Sequence, residues 1–356
     1  MPTEAQVREA LSRVMDPELG RNIVELGMVR AITIDGPRVA VTLALTTMGC
    51  PLKDRISGDA RAAVEALEPG LQVNVVLGEM TAEERQRAFG RQAPEVTAAQ
   101  QASNVRRVLA VMSGKGGVGK SSVSALLAVA LRRKGLNVGL LDADITGPSI
   151  PRMFGLHEPP EMGPAGMMPV ESRSGIKVIS INLLLPTEEE AVVWRGPLIS
   201  SAIKQFWSEV VWGDLDVLIL DLPPGTSDPA LTVMQSIPLN GVLMVTSPQD
   251  LAGMVVRKAA QLASQLKVPI VGLVENMSYV LCPDCARKVE AFGPSQAGRT
   301  AAHLGVPLLG SLPLDPELAR MADVGDIERY AAEAFRPLAD EVWARIPAAK
   351  CTPMFG

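Results

Sequence analysis

The ten residues SGKGGVGKSS, Ser113 to Ser122, match two glycine-rich motifs at once. G-x-G-x-x-G is the fingerprint of dinucleotide-binding sites, and G-x-x-x-x-G-K-S is the P-loop, which binds nucleoside triphosphates. A dinucleotide site does not require Lys120 and Ser121 after the last glycine. In a P-loop that lysine faces the β- and γ-phosphates and that hydroxyl binds Mg²⁺. The stretch therefore favours a triphosphate site.

The backbone N–H groups of a P-loop and of the helix that follows it surround the phosphates. A generic P-loop needs no charge at its variable positions, so phosphate binding alone does not explain Lys115, and a solvated loop lysine is the simpler explanation. The expected nucleotide-binding residues are Gly114, Lys115, Gly116, Gly117, Val118, Gly119, Lys120, Ser121 and Ser122.

Carboxylates follow two apolar runs further along the chain. LDVLILDLPPGTSD places Asp221 at the end of one run, where a Walker B aspartate holds Mg²⁺. VGLLDAD places Asp142 and Asp144 at the end of the other. The distance of these two residues from the glycines also suits the acidic residue that binds ribose in a dinucleotide site. A nicotinamide oxidoreductase therefore remains an alternative.

Cys282-Pro-Asp-Cys285 is a C-x-x-C pair, a spacing that lets two thiolates bind one metal ion or one cluster. Two thiolates do not complete a four-thiolate site, but a two-fold axis beside the motif would bring two pairs together. Half a zinc site, a disulfide-exchange motif and a structural role stay open. Cys50 at a loop-to-helix junction and Cys351 in the tail are further candidate ligands, and Cys50 is equally consistent with a small buried residue.

The composition argues against several classes of protein. The 356 residues carry a formal net charge of −5, so they have no overall excess of positive charge for a nucleic-acid backbone. The sequence has no run of about 18 apolar residues, and its first residues are too charged for a secretory signal. We expect a soluble cytoplasmic protein with no nucleic-acid or membrane partner, in which cysteines are thiols or metal ligands.

The pattern of apolar residues predicts two α/β domains and a linker. Residues 1–80 form the small domain, with a hairpin around Asp35-Gly36-Pro37, and residues 81–104 are a polar linker. In residues 105–356 apolar runs alternate with helical stretches, which predicts a mostly parallel sheet covered by helices on both faces. The last helix is expected near Glu328 to Ile346.

KGGVGKS resembles the deviant Walker A motif of the MinD, ParA and nitrogenase iron protein group. The resemblance implies a homodimer in which Lys115 reaches the partner's nucleotide and offsets charge during phosphoryl transfer. DADITGPS resembles switch I of that group, which implies that Asp144 positions the attacking water and that Asp142 lies near the metal. VENMS resembles the segment whose asparagine, here Asn276, contacts adenine.

The order of these motifs, together with CPDC, resembles the Mrp/ApbC subfamily of iron–sulfur cluster carriers from Val105 to Gly325. DPELGRNIVELGMV and LTTMGCP resemble the small assembly-factor domain that is fused to such ATPases. The resemblance implies an ATPase that uses ATP and Mg²⁺ and bridges a labile [4Fe–4S] cluster between protomers through Cys282 and Cys285. It also implies donor proteins and recipient apo-proteins as partners.

A spatial-organiser ATPase of the MinD or ParA type is the principal alternative. Such proteins need a basic DNA-binding surface or a C-terminal amphipathic membrane helix. The acidic net charge and the short tail CTPMFG argue against both, and the alternative leaves the CPDC motif unexplained.

Overall fold

The structure, a computed structural model, describes residues 2–15, 22–45, 53–79, 81, 97–145, 147–185, 196–226, 228–331 and 335–348. The chain divides into two compact units, Met1–Glu95 and Val96–Gly356. Cys50 and Cys351 lie outside the described residues, so the predictions about them stay predictions.

The first unit contains a three-stranded sheet in which the middle strand pairs antiparallel with the first and parallel with the last. The predicted hairpin is confirmed, and Gly36 in its turn has a φ of 56°, a conformation open mainly to glycine. Buried apolar side chains from the helices and strands, among them Leu11, Leu43 and Ile56, form its core. The elements are α1 (Glu4–Leu11), β1 (Val29–Asp35), β2 (Arg38–Leu45), α2 (Lys53–Glu65) and β3 (Gln72–Glu79).

The second unit alternates strands with helices along most of its length. Its strands are β4 (Asn104–Val105), β5 (Val108–Ser113), β6 (Val138–Asp142), β7 (Met162–Gly163), β8 (Gly166–Met167), β9 (Val170–Glu171), β10 (Lys177–Ser180), β11 (Asp214–Leu215), β12 (Val217–Asp221), β13 (Gly241–Thr246), β14 (Ile270–Leu281), β15 (Lys288–Val289) and β16 (Leu308–Pro313). Its α-helices are α3 (Ala98–Gln101), α4 (Lys120–Arg133), α5 (Ile150–Phe154), α6 (Gly196–Ser208), α7 (Asp228–Ser236), α8 (Asp250–Gln265), α9 (Ala297–Leu304), α10 (Pro316–Asp323) and α11 (Arg336–Arg345). Within the described ranges, none of these helices combines the length and apolar content needed to cross a membrane.

The main sheet of the second unit has the strand order β15-β14-β13-β5-β12-β6-β10-β9, and β16 also pairs with β14. The pairs from β10 to β14 are parallel, as is β14 with β16, whereas β9 and β15 run antiparallel to their neighbours. Every residue of the central strands β5, β6, β12 and β13 is buried, which is typical of parallel strands covered on both faces. Two apolar clusters cover the sheet, one including Met112 and Trp212 and the other Val111 and Phe335. The prediction of a mostly parallel sheet with helices on both faces is confirmed.

Two segments differ from the sequence-based expectation. The end of the predicted linker is folded into the second unit, because Thr97 forms a capping box with Gln100 at α3 and because β4 pairs with β11. The predicted last helix is divided into a 3-10 turn, Ile327–Arg329, and the later helix α11. Pro337 lies in the first turn of α11, where proline is tolerated, whereas it would interrupt a continuous helix.

Candidate functional site

The predicted P-loop connects β5 to α4 at the carboxyl edge of the sheet, where open α/β folds bind their ligands. Gly117 and Gly119 have φ values of 77° and 76°. Gly119 is the N-cap of α4, so the N–H groups of the first helical turn face the loop. Gly114, the first glycine of the motif, is buried. A cavity of about 280 Å³ is lined by Ser113, Lys115, Gly116, Gly117, Val118, Gly119, Lys120, Ser121, Ser122, Asp144, Gly147, Ser149, Met153 and Pro224.

A buried ion pair joins the P-loop helix to the neighbouring strand β12. Lys120 Nζ lies 2.7 Å from Asp221 Oδ2, and both side chains are almost completely inaccessible to solvent. Ser121 Oγ donates to the same carboxylate oxygen over 2.6 Å, and Ser124 Oγ donates to Oδ1 over 2.6 Å. The sequence-based reasoning did not single out Ser124. Its position three residues after Ser121 on a helix is a signal that could have found it, because residues at that spacing share a face.

The Ser121 hydroxyl and the Asp221 carboxylate offer the oxygen donors that Mg²⁺ prefers. Because Ser121 lines the cavity and donates to Asp221 behind it on β12, these two residues fit a magnesium ion that accompanies a bound triphosphate. Both were expected at this place from the sequence.

Asp144 lines the cavity, and its Oδ2 lies 4.0 Å from Lys120 Nζ. The side chain is 14% exposed, so it is open to the cavity. This arrangement places a carboxylate beside the lysine of the P-loop.

Asp142 is fully buried beneath the loop that carries Asp144. It accepts hydrogen bonds from the backbone N–H groups of Asp144 (3.2 Å), Ser149 (3.1 Å) and Ile150 (3.3 Å). Its pKa is raised to about 7, first by burial and then by the charge of nearby Asp221, while the lysine of the P-loop opposes both effects. The structure therefore assigns Asp142 the task of fixing this loop.

The side chain of Lys115 is directed to the start of α8 within the same chain. Its ammonium donates to Oε1 of Gln249, the N-cap residue of that helix. Its backbone carbonyl accepts from Ser113 Oγ over 3.0 Å. Gln249 lies in the segment SPQD and was not assigned a role from the sequence, since no local pattern links it to the P-loop.

Asn276, expected to contact a base, contacts the P-loop in the structure. Its Nδ2 donates to the Val118 carbonyl over 3.0 Å, and the side chain is buried. A Cβ at Gly119 would lie 2.2 Å from this Nδ2 atom. Gly119 is thus required both by its backbone conformation and by the close approach of β14.

Cys282 and Cys285 lie in a tight loop that joins β14 to β15. The Cys282 N–H donates to the Arg287 carbonyl (3.0 Å), and the Ala286 N–H donates to the Cys282 carbonyl (2.9 Å). Cys285 is exposed and Cys282 is partly exposed. Hydrogen bonds to the Cys282 sulfur, first from the N–H of Cys285 and then from that of Asp284, lower its pKa. The loop therefore favours the thiolate, which is the form that binds metals.

Comparisons with known sequences match both parts of the chain. The model of the NUBPL iron-transfer P-loop NTPase family matches residues 104–344, and that of the iron–sulfur cluster assembly protein family matches residues 4–76. A protein of Synechocystis named iron–sulfur cluster carrier protein is 39% identical over 97% of this chain and 98% of its own length. A protein of the same name from Mycobacterium leprae is 43% identical over 90% of this chain and 86% of its own.

Solved structures resemble the second unit. A nucleotide-binding protein from Archaeoglobus fulgidus, in complex with ADP and with cobalt, is 39% identical, covers 72% of this chain and all of its own, and has a TM-score of 0.61. The MinC–MinD cell-division complex of Aquifex aeolicus is 18% identical over 69% of this chain and 99% of its own, with a TM-score of 0.50. At that identity the likeness shows the fold alone.

Two P-loop glycines form a matched pair for testing this geometry. Gly117 and Gly119 share the same φ, but a Cβ at Gly117 would meet no atom within 4 Å. We expect Gly117→Ala to lower the free energy of unfolding by about 1 kcal/mol, the cost of the left-handed backbone. Gly119→Ala should cost about 1–3 kcal/mol more, because it displaces Asn276 from Val118. Urea unfolding without nucleotide, followed by the tryptophans, which all lie in the second unit, measures the difference. Equal losses of unfolding free energy in the two variants would contradict the close contact between Gly119 and Asn276.

Proposed function

The chain belongs to the NUBPL iron-transfer P-loop NTPase family, and we propose that it is an ATP-hydrolysing carrier of a labile [4Fe–4S] cluster. The observation that carries this proposal is the placement of an exposed C-x-x-C loop at the end of the strand β14 that also contacts the P-loop. The relatives named iron–sulfur cluster carrier proteins, which match nearly the whole chain, support it.

ATP is the nucleotide we assign to the cavity beside the P-loop. The ADP in the Archaeoglobus relative supports a nucleotide at this place. Lys120 faces the β- and γ-phosphates, while Ser121 and Asp221 hold Mg²⁺, which neutralises phosphate charge when bound. Asp144 positions the attacking water, and Asp142 keeps the loop of Asp144 in place through its backbone hydrogen bonds.

In this proposal a homodimer completes both the nucleotide site and the cluster site. Each chain supplies two thiolates at the β14–β15 loop, and a four-thiolate cluster needs two more. A two-fold axis beside the loop brings the second pair. Leu281 and Val289, which flank the loop, are 47% and 50% exposed and offer apolar surface for that contact. The cluster is cargo, passed from a donor protein to recipient apo-proteins, and the N-terminal domain, residues 1–80, docks one of them.

Lys115 acts across the dimer in this proposal, and Gln249 holds it within its own chain in the absence of a partner. We expect Lys115→Ala to lower kcat for ATP hydrolysis by on the order of a hundredfold or more, because a cation that offsets transition-state charge is lost. Gln249→Glu should also slow hydrolysis, since a carboxylate binds the ammonium more tightly. Gln249→Ala is the matched control and should not slow it.

ATPase assays on samples whose dimeric mass is verified by light scattering measure these rates. Full activity of Lys115→Ala in a verified dimer would contradict the role of Lys115 in trans. A Gln249→Glu variant as active as the wild type would contradict the proposed restraint.

Asn276 contributes to base recognition through the amide oxygen. With Nδ2 donating to Val118, Oδ1 is the atom that can accept from the exocyclic amine of adenine. We expect Asn276→Ala to weaken ADP binding by about tenfold, and to weaken binding of inosine diphosphate, which lacks that amine, clearly less. Calorimetric titration of both nucleotides against both proteins gives the comparison. Equal losses for the two nucleotides would mean that Asn276 acts through the loop alone.

The cluster assignment is tested by anaerobic reconstitution with iron and sulfide. We expect the wild-type dimer to show the broad visible absorption of an iron–sulfur cluster, and Cys282→Ala to lose it because two of the four thiolates are removed. Pro283→Ala, which keeps both thiols in the same loop, is the control. Iron and sulfide analysis of each protein quantifies the cluster. Clusters bound equally by wild type and Cys282→Ala would refute the assignment.

A further inference from the structure

Strand β14 is in direct contact with the P-loop and leads directly to the cysteine loop. Asn276 donates to the Val118 carbonyl, and the methyl carbon of Met277 would lie 3.2 Å from a Cβ at Gly119. Cys282 follows Met277 by five residues, about 16 Å of extended strand. The nucleotide cavity and the thiolates are therefore joined by one short piece of backbone.

This piece of backbone contains a β-bulge. Glu275 is opposite Ser311 on β16, and the next paired residue, Tyr279, is opposite Pro313. Four steps along β14 thus correspond to two steps along β16, so β14 accommodates two extra residues. Beyond the bulge, the Leu314 N–H donates to the Tyr279 carbonyl over 2.7 Å and re-establishes the pairing.

Two features of the bulge are energetically unfavourable. Met277 has a φ of 58°, a left-handed conformation that costs a residue with a Cβ free energy. Glu275 is completely buried, and its Oε1 has no hydrogen-bond partner among the described residues, while Oε2 accepts from Ser278 Oγ over 2.6 Å. Strained backbone and unsatisfied buried oxygens are features that change readily when a neighbouring element moves.

We propose that the bulge of residues 275–278 is the element that couples occupancy of the P-loop to the position of the Cys282–Cys285 loop. The proposal rests on the proposed function for the identity of the two sites as a nucleotide site and a cluster site. The physical coupling between the P-loop and the cysteine loop does not depend on that identity. A bound nucleotide orders the backbone of Val118 and Gly119 around its phosphates. Asn276 follows the loop through its hydrogen bond, and Met277 changes its backbone conformation. Because a shift of one residue turns every side chain of a strand to the other face, a small rearrangement redirects the cysteines.

The alkylation rate of Cys282 measures this coupling without iron or sulfide. The full-length reduced protein is treated with iodoacetamide with and without ADP, and the peptide carrying Cys282 is quantified by mass spectrometry. ADP is the probe because its phosphates reach the same backbone N–H groups and because the proposed ATPase activity does not consume it. We expect ADP to change the Cys282 rate by about fivefold or more, as for ordinary coupling between two sites.

Met277→Gly removes the strain of the left-handed backbone and should leave the Cys282 rate nearly independent of ADP, while calorimetry still detects ADP binding. Lys267→Gly is the matched control, since Lys267 also has a left-handed φ, 56°, but precedes β14 at its other end. It should keep the full response to ADP. Ser278→Ala removes the hydroxyl that bonds to Glu275 and should also reduce the response.

A wild-type rate that ADP leaves unchanged, or a Met277→Gly variant with the full response, would overturn the coupling. Neither result would contradict the proposed function, which is tested by cluster reconstitution and by assays of ATP hydrolysis. Conversely, a wild-type chain that responds to ADP but takes up no cluster would contradict the carrier function and leave the coupling in place.

Discussion

The buried pair of Lys120 and Asp221 is the constraint on which the nucleotide site depends. A charged pair removed from water is stable only where further hydrogen bonds compensate for the lost hydration. Here Ser121 and Ser124 supply them, and both come from the same helix as the lysine. Loss of Lys120 would leave the Asp221 carboxylate buried without its counter-charge, and loss of Asp221 would leave Lys120 with only the more distant carboxylate of Asp144, 4.0 Å away. The pair therefore fixes α4 against β12 and holds the ammonium of Lys120 in place beside the cavity.

The order of strands explains how β14, which leads to the cysteine loop, contacts the P-loop. β13 separates β5 from β14, so the P-loop and β14 belong to strands two positions apart, about 9.6 Å. Asn276 and the bulge that contains it bridge that distance at the carboxyl edge of the sheet. A regular strand of the same sequence would pair further with β16 and would direct its end elsewhere. The bulge therefore determines where the C-x-x-C loop lies relative to the P-loop.

The features that depend on local spacing could be predicted from the sequence. Glycines in a fixed order, followed by Lys120 and Ser121, indicated the P-loop, and continuous apolar runs indicated buried parallel strands. The contacts that depend on register between distant segments could not be predicted. The partners of Lys115 and Asn276 are of this kind, because Gln249 and Val118 come near them only through the packing of the sheet. The left-handed Met277 has no signal in its residue type.

Burial of Asp142 lowers the stability of the folded chain, but its hydrogen bonds hold the loop of Asp144 in place. Its pKa is raised above the ordinary value of an aspartate, 3.8, so the folded chain binds a proton more tightly than the unfolded chain. The contribution of Asp142 to the free energy of unfolding therefore falls as the pH rises from the pKa in the unfolded chain towards the folded value of about 7. Three backbone N–H groups offset part of that loss and, in doing so, fix the start of the loop of Asp144. A hydrophobic residue at position 142 would avoid the loss but would leave those N–H groups unsatisfied. The same carboxylate that lowers stability at neutral pH therefore orders the loop that carries Asp144 to the cavity.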